Sequence, residues 1–131
     1  MLVLLLASVA APPAVTQERD QAGEVTITRL RALDKVTARI SELDLVENEE
    51  MVFGSLFITA RTCSTRPPEE PPETFAFLEI EEADATGLRR RLFTGWMMAS
   101  SPALNALDHA IYDVWVISCT IRSGDASEGS E

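Results

Sequence analysis

The sequence predicts an all-β fold, a small antiparallel β-sandwich or barrel with one short helical turn, and three observations point there. Apolar residues recur with a period of two and almost never with a period of 3.6. Turn-forming Gly, Pro, Asn and Asp interrupt the chain at short intervals. No apolar-periodic stretch in the body of the chain is long enough for a helix.

Each element has its own signature. Val25 to Leu33 is the first predicted strand. Lys35 to Leu45 alternates Val36, Ala38 and Ile40 against Thr37, Arg39 and Ser41, the pattern of a strand with one buried and one wet face. Glu47 to Glu50, with Asn48, makes a turn. Met51 to Cys63 reads as one strand, with Val52, Leu56, Ile58 and Ala60 on one face and Phe53, Phe57 and Cys63 on the other. Apolar residues on both faces predict a central strand. Thr74 to Glu81 opposes Phe75 and Phe77 to Ala76, Leu78 and Ile80, and Asp84 to Gly87 supplies the following turn. Leu88 to Met98 is extended, with Gly95 marking a bulge or a close backbone approach. Ser101 before Pro102 is an N-cap followed by proline at the first helical position, so Ser101 to Leu107 is the expected helical turn. Tyr112 to Ile121, with Val114, Trp115, Val116 and Ile117, reads as a buried closing strand.

The ends differ from this body. Leu2 to Ala11 is an unbroken run of apolar and small residues ahead of Pro12 and Pro13, and Ser8 and Ala10 supply the small-x-small pattern of a secretory signal peptide. The run is about half the ~20 residues that span a bilayer, so cleavage is expected over anchoring, with no transmembrane segment in the mature chain. No Lys or Arg precedes it, which a start codon placed too far downstream would explain. The expected organisation is a signal peptide at 1–10, a flexible lead-in at 11–23, a β-domain at 24–122 and a disordered acidic tail at 123–131.

Eleven Lys and Arg against 21 Asp and Glu leave a net charge of −10. A chain of that sign repels phosphate backbones, so nucleic acid is excluded as a partner. Cys63 and Cys119 are an even pair in an exported chain and are expected to form a disulfide; two buried thiols are the competing reading. The sequence assigns no cofactor and no metal: Met97 and Met98 lack further soft ligands, and one histidine is too few for zinc.

Three segments are candidates for function. Arg66, Pro67, Pro68, Glu69, Glu70, Pro71 and Pro72 form a stiff, charged segment that cannot join a central ladder, tends toward polyproline II and suits recognition. Trp96 and Met97 are residue types that anchor a protein partner or, for Trp, stack on a sugar. His109, with Ser100 or Ser101 and Asp113, offers the residue types of a catalytic triad, but no nucleophile-elbow pattern accompanies them. A hydrogen bond that fixes the loop before the last strand is the preferred role for His109.

Phe53-Gly54-Ser55-Leu56, the proline–glutamate string from Arg66 to Thr74, Phe77-Leu78-Glu79-Ile80, Gly95-Trp96-Met97, Ala99-Ser100-Ser101-Pro102-Ala103-Leu104 and Tyr112-Asp113-Val114-Trp115 together resemble the alphaproteobacterial domain of unknown function 2155 family. The resemblance runs from about Thr28 to Cys119, and both cysteines fall where that family would place them. It carries over no catalytic residues and implies a small exported protein, with genes often near those of an accessory subunit of respiratory NADH:quinone oxidoreductase; the chain is expected to be periplasmic and not an enzyme. The expected role is an accessory subunit on the periplasmic face of that membrane complex. A free periplasmic module binding cell-wall glycan through Trp96 or Trp115 is the alternative, and a hydrolase centred on His109 comes third.

Overall fold

The computed structural model describes residues 23–123 together with Ala10 and Ala11. The signal peptide, lead-in and acidic tail expected at the ends lie outside the described residues, apart from Ala10, Ala11, Gly23 and Ser123. Seven strands succeed one another: β1 (Glu24–Asp34), β2 (Arg39–Val46), β3 (Glu50–Phe53), β4 (Leu56–Thr65), β5 (Thr74–Ala83), β6 (Arg89–Met98) and β7 (Tyr112–Ser123). They build a three-stranded sheet ordered β2-β1-β7 and a four-stranded sheet ordered β3-β4-β5-β6. Every pairing is antiparallel. Of the two architectures expected, the chain adopts the sandwich: it changes sheets between β2 and β3 and again between β6 and β7, and the sheets stay separate.

The core lies between the sheets because alternate residues of each strand point the same way. Leu30, Ala32, Leu45, Val114 and Val116 from one sheet meet Leu56, Ile58, Ala60, Ala76, Leu78, Ile80, Phe93 and Met97 from the other. Each large aliphatic side chain removed from water there contributes about 1.5–3 kcal/mol.

Three elements differ from the sequence expectation. The alternation at Val36 and Ala38 belongs to a turn: Asp34 Oδ1 accepts the amides of Val36 and Thr37 at 2.9 and 3.2 Å, and Ala38 sits at φ 55°. The strand therefore starts only at Arg39, and Val36 is exposed. Met51 to Cys63 is two strands, reversed by a Gly54-Ser55 hairpin in which Gly54 takes a φ of 57°. The reversal pairs Val52 with Phe57 on the outer face, so Val52 is exposed while Met51 and Phe53 pack on the core. Finally, Ser101 to Leu107 forms no helix: it holds one turn, closed by the Leu104 amide on the Ser101 carbonyl at 3.1 Å. The segment carries the chain from one sheet to the other, and burial of Leu107 together with an Asn105 side-chain bond to the Trp96 carbonyl (2.7 Å) holds it there.

Bulges complete the geometry. The β4–β5 register passes from Ala60 to Thr62, leaving Arg61 unpaired, and the β1–β7 register passes from Val116 to Ser118, leaving Ile117 unpaired. Each extra residue reverses the facing of the residues beyond it, so Cys63 and Cys119 turn inward past the buried Ala60 and Val116. They join across the sandwich, with Cα atoms 5.8 Å apart and a sequence separation of 56. A third bulge, at Leu92, lies on β6, and Gly95 is instead a close approach, where a Cβ would stand 3.1 Å from Asn105 Nδ2.

Candidate interaction surface

The outer face of the four-stranded sheet divides along the strand direction. Toward the Gly54-Ser55 end it is charged. Arg61 pairs with Glu79 at 2.8 Å, Arg89 with Glu50 at 2.7 Å and Arg91 with Glu81 at 3.0 Å, while the Arg89 guanidinium stacks on Phe57 at 3.6 Å. The bond from Glu50 holds the Arg89 guanidinium above its ordinary pKa. The outer face of the smaller sheet is likewise occupied by cross-strand pairs, Arg29–Asp44 at 2.7 Å and Arg31–Glu42 at 2.9 Å.

Toward the disulfide end the same outer face is aromatic. Phe75 pairs with Met98 and Phe77 with Trp96, and the Phe77 and Trp96 rings meet edge to face at 5.4 Å. Trp96 keeps 48% of its surface exposed. Phe75 and Phe77 are outside because their strand neighbours Ala76, Leu78 and Ile80 fill the core. The Arg66 guanidinium lies over the Phe75 ring at 5.5 Å, so the proline segment borders this patch.

That proline segment is a hairpin loop. Arg66 donates its amide to the Glu73 carbonyl at 3.0 Å, and Glu70 donates to Pro67 at 3.0 Å, closing a tight turn in place of an extended polyproline rod. Residues Arg66 to Pro72 are exposed, whereas Glu73 is buried. Its carboxylate accepts the Thr74 amide at 3.0 Å, the Ser100 amide at 3.1 Å and the Ser100 hydroxyl. The Ser100 hydroxyl, more than any other group, holds the Glu73 carboxyl below the usual carboxylate range. The loop is thereby clamped to the β6–β7 crossover at its base.

At the opposite end His109 locks the crossover to β7. Its Nδ1 accepts the amides of Ile111 and Tyr112 at 3.0 and 3.2 Å, which assigns the proton to Nε2, and Nε2 meets Glu82 Oε2 at 2.6 Å. Glu82 also accepts the Ser55 hydroxyl at 2.9 Å. The bond from His109, followed by that from Ser55, lowers the Glu82 pKa. Tyr112 stacks on His109 at 5.2 Å and meets Phe53 edge-on at 5.3 Å.

The fold thus brings Arg66, the Pro67–Pro72 loop and Trp96 to one end of one face. Met97 does not join them: it is buried in the core, because it lies one residue out of phase with Trp96 on β6. Ser100, His109 and Asp113 are not assembled either. Ser100 bonds Glu73, His109 bonds Glu82, and Asp113 pairs with Lys35 at 3.1 Å. Among the described residues no group of three or more His, Cys, Asp or Glu side chains could hold a metal ion. Among the same residues no helix is long and apolar enough to cross a membrane. Sequence reasoning missed the clamping roles of Glu73 and Glu82, and it left Phe75, Phe77 and Met98 out of the surface. The period-two pattern of β5 did carry the signal for the two phenylalanines.

These features define a class: a small β-sandwich, four strands over three, pinned between its sheets by one disulfide. Within that class the chain belongs to the family described as "Uncharacterized protein conserved in bacteria (DUF2155)", which it matches over residues 28–119. An uncharacterized protein of Rickettsia prowazekii (strain Madrid E) is 30% identical over 91 residues, covering 70% of this chain and 59% of that relative. The chain therefore aligns with under two thirds of that relative's length. No solved structure matches.

Proposed function

We propose that the protein is an exported, non-enzymatic accessory module that docks on a protein partner through the aromatic half of its larger sheet. The observation that carries this reading is the cluster of Phe75, Phe77, Trp96 and Met98 on an outer sheet face, bordered by Arg66 and the exposed loop up to Pro72. Aromatic residues, Met and Arg are the types enriched where proteins dock, and Trp96 and Arg66 are the natural anchors. The inter-sheet disulfide supports export to an oxidising compartment, here the periplasm. In this reading the partner is a membrane-bound respiratory complex, NADH:quinone oxidoreductase, approached from its periplasmic side.

The test is capture from detergent-solubilised membranes of the source bacterium on immobilised protein. Co-purification of the complex is expected, and Trp96→Ala should weaken it by about 30-fold, the loss of about 2 kcal/mol typical of an anchor residue. A complex purified in mild detergent without this chain, or one captured equally well by Trp96→Ala, would refute the reading. The same exposed Trp96 favours one alternative, a free periplasmic module stacking on cell-wall glycan. Sedimentation with isolated peptidoglycan, abolished by Trp96→Ala, would select that alternative.

A further inference from the structure

A second apolar feature lies round the corner from Trp96, where the β6–β7 crossover passes the edge of β7. Pro102, Ala103, Ala106 and Leu107 on the crossover and Val114 and Trp115 on β7 line an open cavity of about 300 Å³. Its floor is apolar and buried, Leu107 and Val114 being 4% and 3% exposed. Its crossover wall includes small residues, Ala103 and Ala106, which leave room that larger side chains would fill. Trp115 forms part of the facing wall. The crossover is held in place beside it by the Asn105 bond to the Trp96 carbonyl, and Leu104, 72% exposed, stands on the same segment.

The polar groups about the cavity have one sign in excess. Asp113 lines it and pairs with Lys35 at 3.1 Å, an exposed contact that solvent screens, while the Lys35 ammonium also donates to the His109 carbonyl at 2.9 Å. Asp108, exposed on the crossover between Leu107 and His109, adds a second carboxylate close by in sequence. The whole chain carries −10. The arginines of the neighbouring sheet face are satisfied internally by Glu50, Glu79 and Glu81.

We infer that this cavity is a socket for one large apolar side chain of a protein partner, flanked in the partner by lysine or arginine that the Asp113 carboxylate receives. The volume suits a leucine-, methionine- or phenylalanine-sized group, and the buried floor supplies the desolvated contact that makes such an anchor effective. The inference rests on the reading that the protein docks a protein partner. It adds a second contact, separate from the sheet face, and specifies that the partner segment is basic and apolar.

The experiment uses the intact, oxidised chain and three capped peptides, Lys-Leu-Lys, Lys-Ala-Lys and Glu-Leu-Glu, titrated while the two Trp indole resonances are followed by NMR. Lys-Leu-Lys should move the Trp115 indole and leave that of Trp96 in place. Lys-Ala-Lys should bind at least about 10-fold more weakly, as expected for the lost burial of a leucine side chain. Asp113→Asn should weaken Lys-Leu-Lys by about 2- to 5-fold. Ala106→Leu, which fills the cavity, should abolish the Trp115 response; Ala103→Leu provides the same block from a second position should the first variant not fold. Equal responses to Lys-Leu-Lys and Glu-Leu-Glu, or a Trp115 indole that no peptide moves, would overturn the inference. Because Trp96-dependent capture of a membrane complex is read separately, a failed socket and a failed docking surface give different results.

Discussion

Reduction of the Cys63–Cys119 bond should lower stability by about 4 kcal/mol, and the size of that effect is set by where the bond lies. The bridge closes a loop with a sequence separation of 56. In the chain-entropy account the unfolded chain then loses about 14 cal/mol/K, which at room temperature is about 4 kcal/mol. The Cα separation of 5.8 Å falls within the usual range for a disulfide, so no native-state distortion has to be subtracted. In urea, with a slope of about 1–3 kcal/mol/M for a small domain, the midpoint should fall by between about 1.5 and 4 M on reduction. The assay is equilibrium unfolding followed by Trp fluorescence, comparing oxidised protein, reduced protein and the Cys63→Ser/Cys119→Ser double variant. Reduced protein and double variant should coincide. Deleting Arg61 alone removes the β4 bulge but keeps Thr62 opposite Phe77 and Cys63 opposite Ala76, so Cys63 still faces Cys119. That variant should titrate with no free thiol. A midpoint shift below about 0.5 M for the reduced protein, or two free thiols after the deletion, would refute the reasoning.

Gly54→Ala forces a Cβ into the Tyr112 hydroxyl at a position whose φ of 57° disfavours side chains, so it should cost about 2–4 kcal/mol. Tyr112→Phe in the same chain should recover part of that loss in urea unfolding. His109→Ala leaves the Ile111 and Tyr112 amides without that acceptor and removes one of the two side-chain donors to Glu82, the Ser55 hydroxyl remaining; it should destabilise by about 1–3 kcal/mol. Stability should also decline in acid. The carboxyls of Glu73, Glu82 and Asp84 titrate below their ordinary range, held down chiefly by Ser100, His109 and Thr86 respectively. The unfolded chain therefore takes up protons first as pH falls. The contribution is fully present above the ordinary carboxylate pKa of about 4 and disappears as pH drops through the lowered folded-state values. Urea midpoints measured from pH 6 down to about pH 3 should fall in that lower window, and Ser100→Ala should make the fall smaller.

Much of the architecture is legible in the sequence because alternation is a direct consequence of strand geometry. The opposition of Phe75 and Phe77 to Ala76, Leu78 and Ile80 locates both the core and the aromatic surface from β5 alone. Pairing of the cysteines is legible too, from their even number under the expectation of export. Period-two reasoning cannot see where a strand reverses or gains a residue. Gly54-Ser55 interrupts an apolar run without a charge or proline to mark it, so the pattern reads as one strand where two antiparallel ones lie. Val36 and Ala38 mimic a strand because the acceptor that bends them, Asp34, sits just upstream. The clamps at Glu73 and Glu82 link residues 27 positions apart, and no local pattern marks such pairs.

The bulges show why the illegible part still matters for function. With strict alternation through Arg61, Cys63 would face the side opposite Ala60, and the two sheets could not be joined there. The extra residue at Leu92 acts in the same way on β6: beyond it Phe93 and Met97 face inward, while Trp96 and Met98 face out beside Phe77 and Phe75. Had Leu92 instead taken a regular place in the ladder after Arg91, the residues beyond it would have the opposite phase, placing Trp96 in the core and Met97 at the surface. The sequence treats Trp96 and Met97 as equivalent neighbours, yet one single-residue irregularity, four positions upstream of the tryptophan, decides which of them a partner can reach.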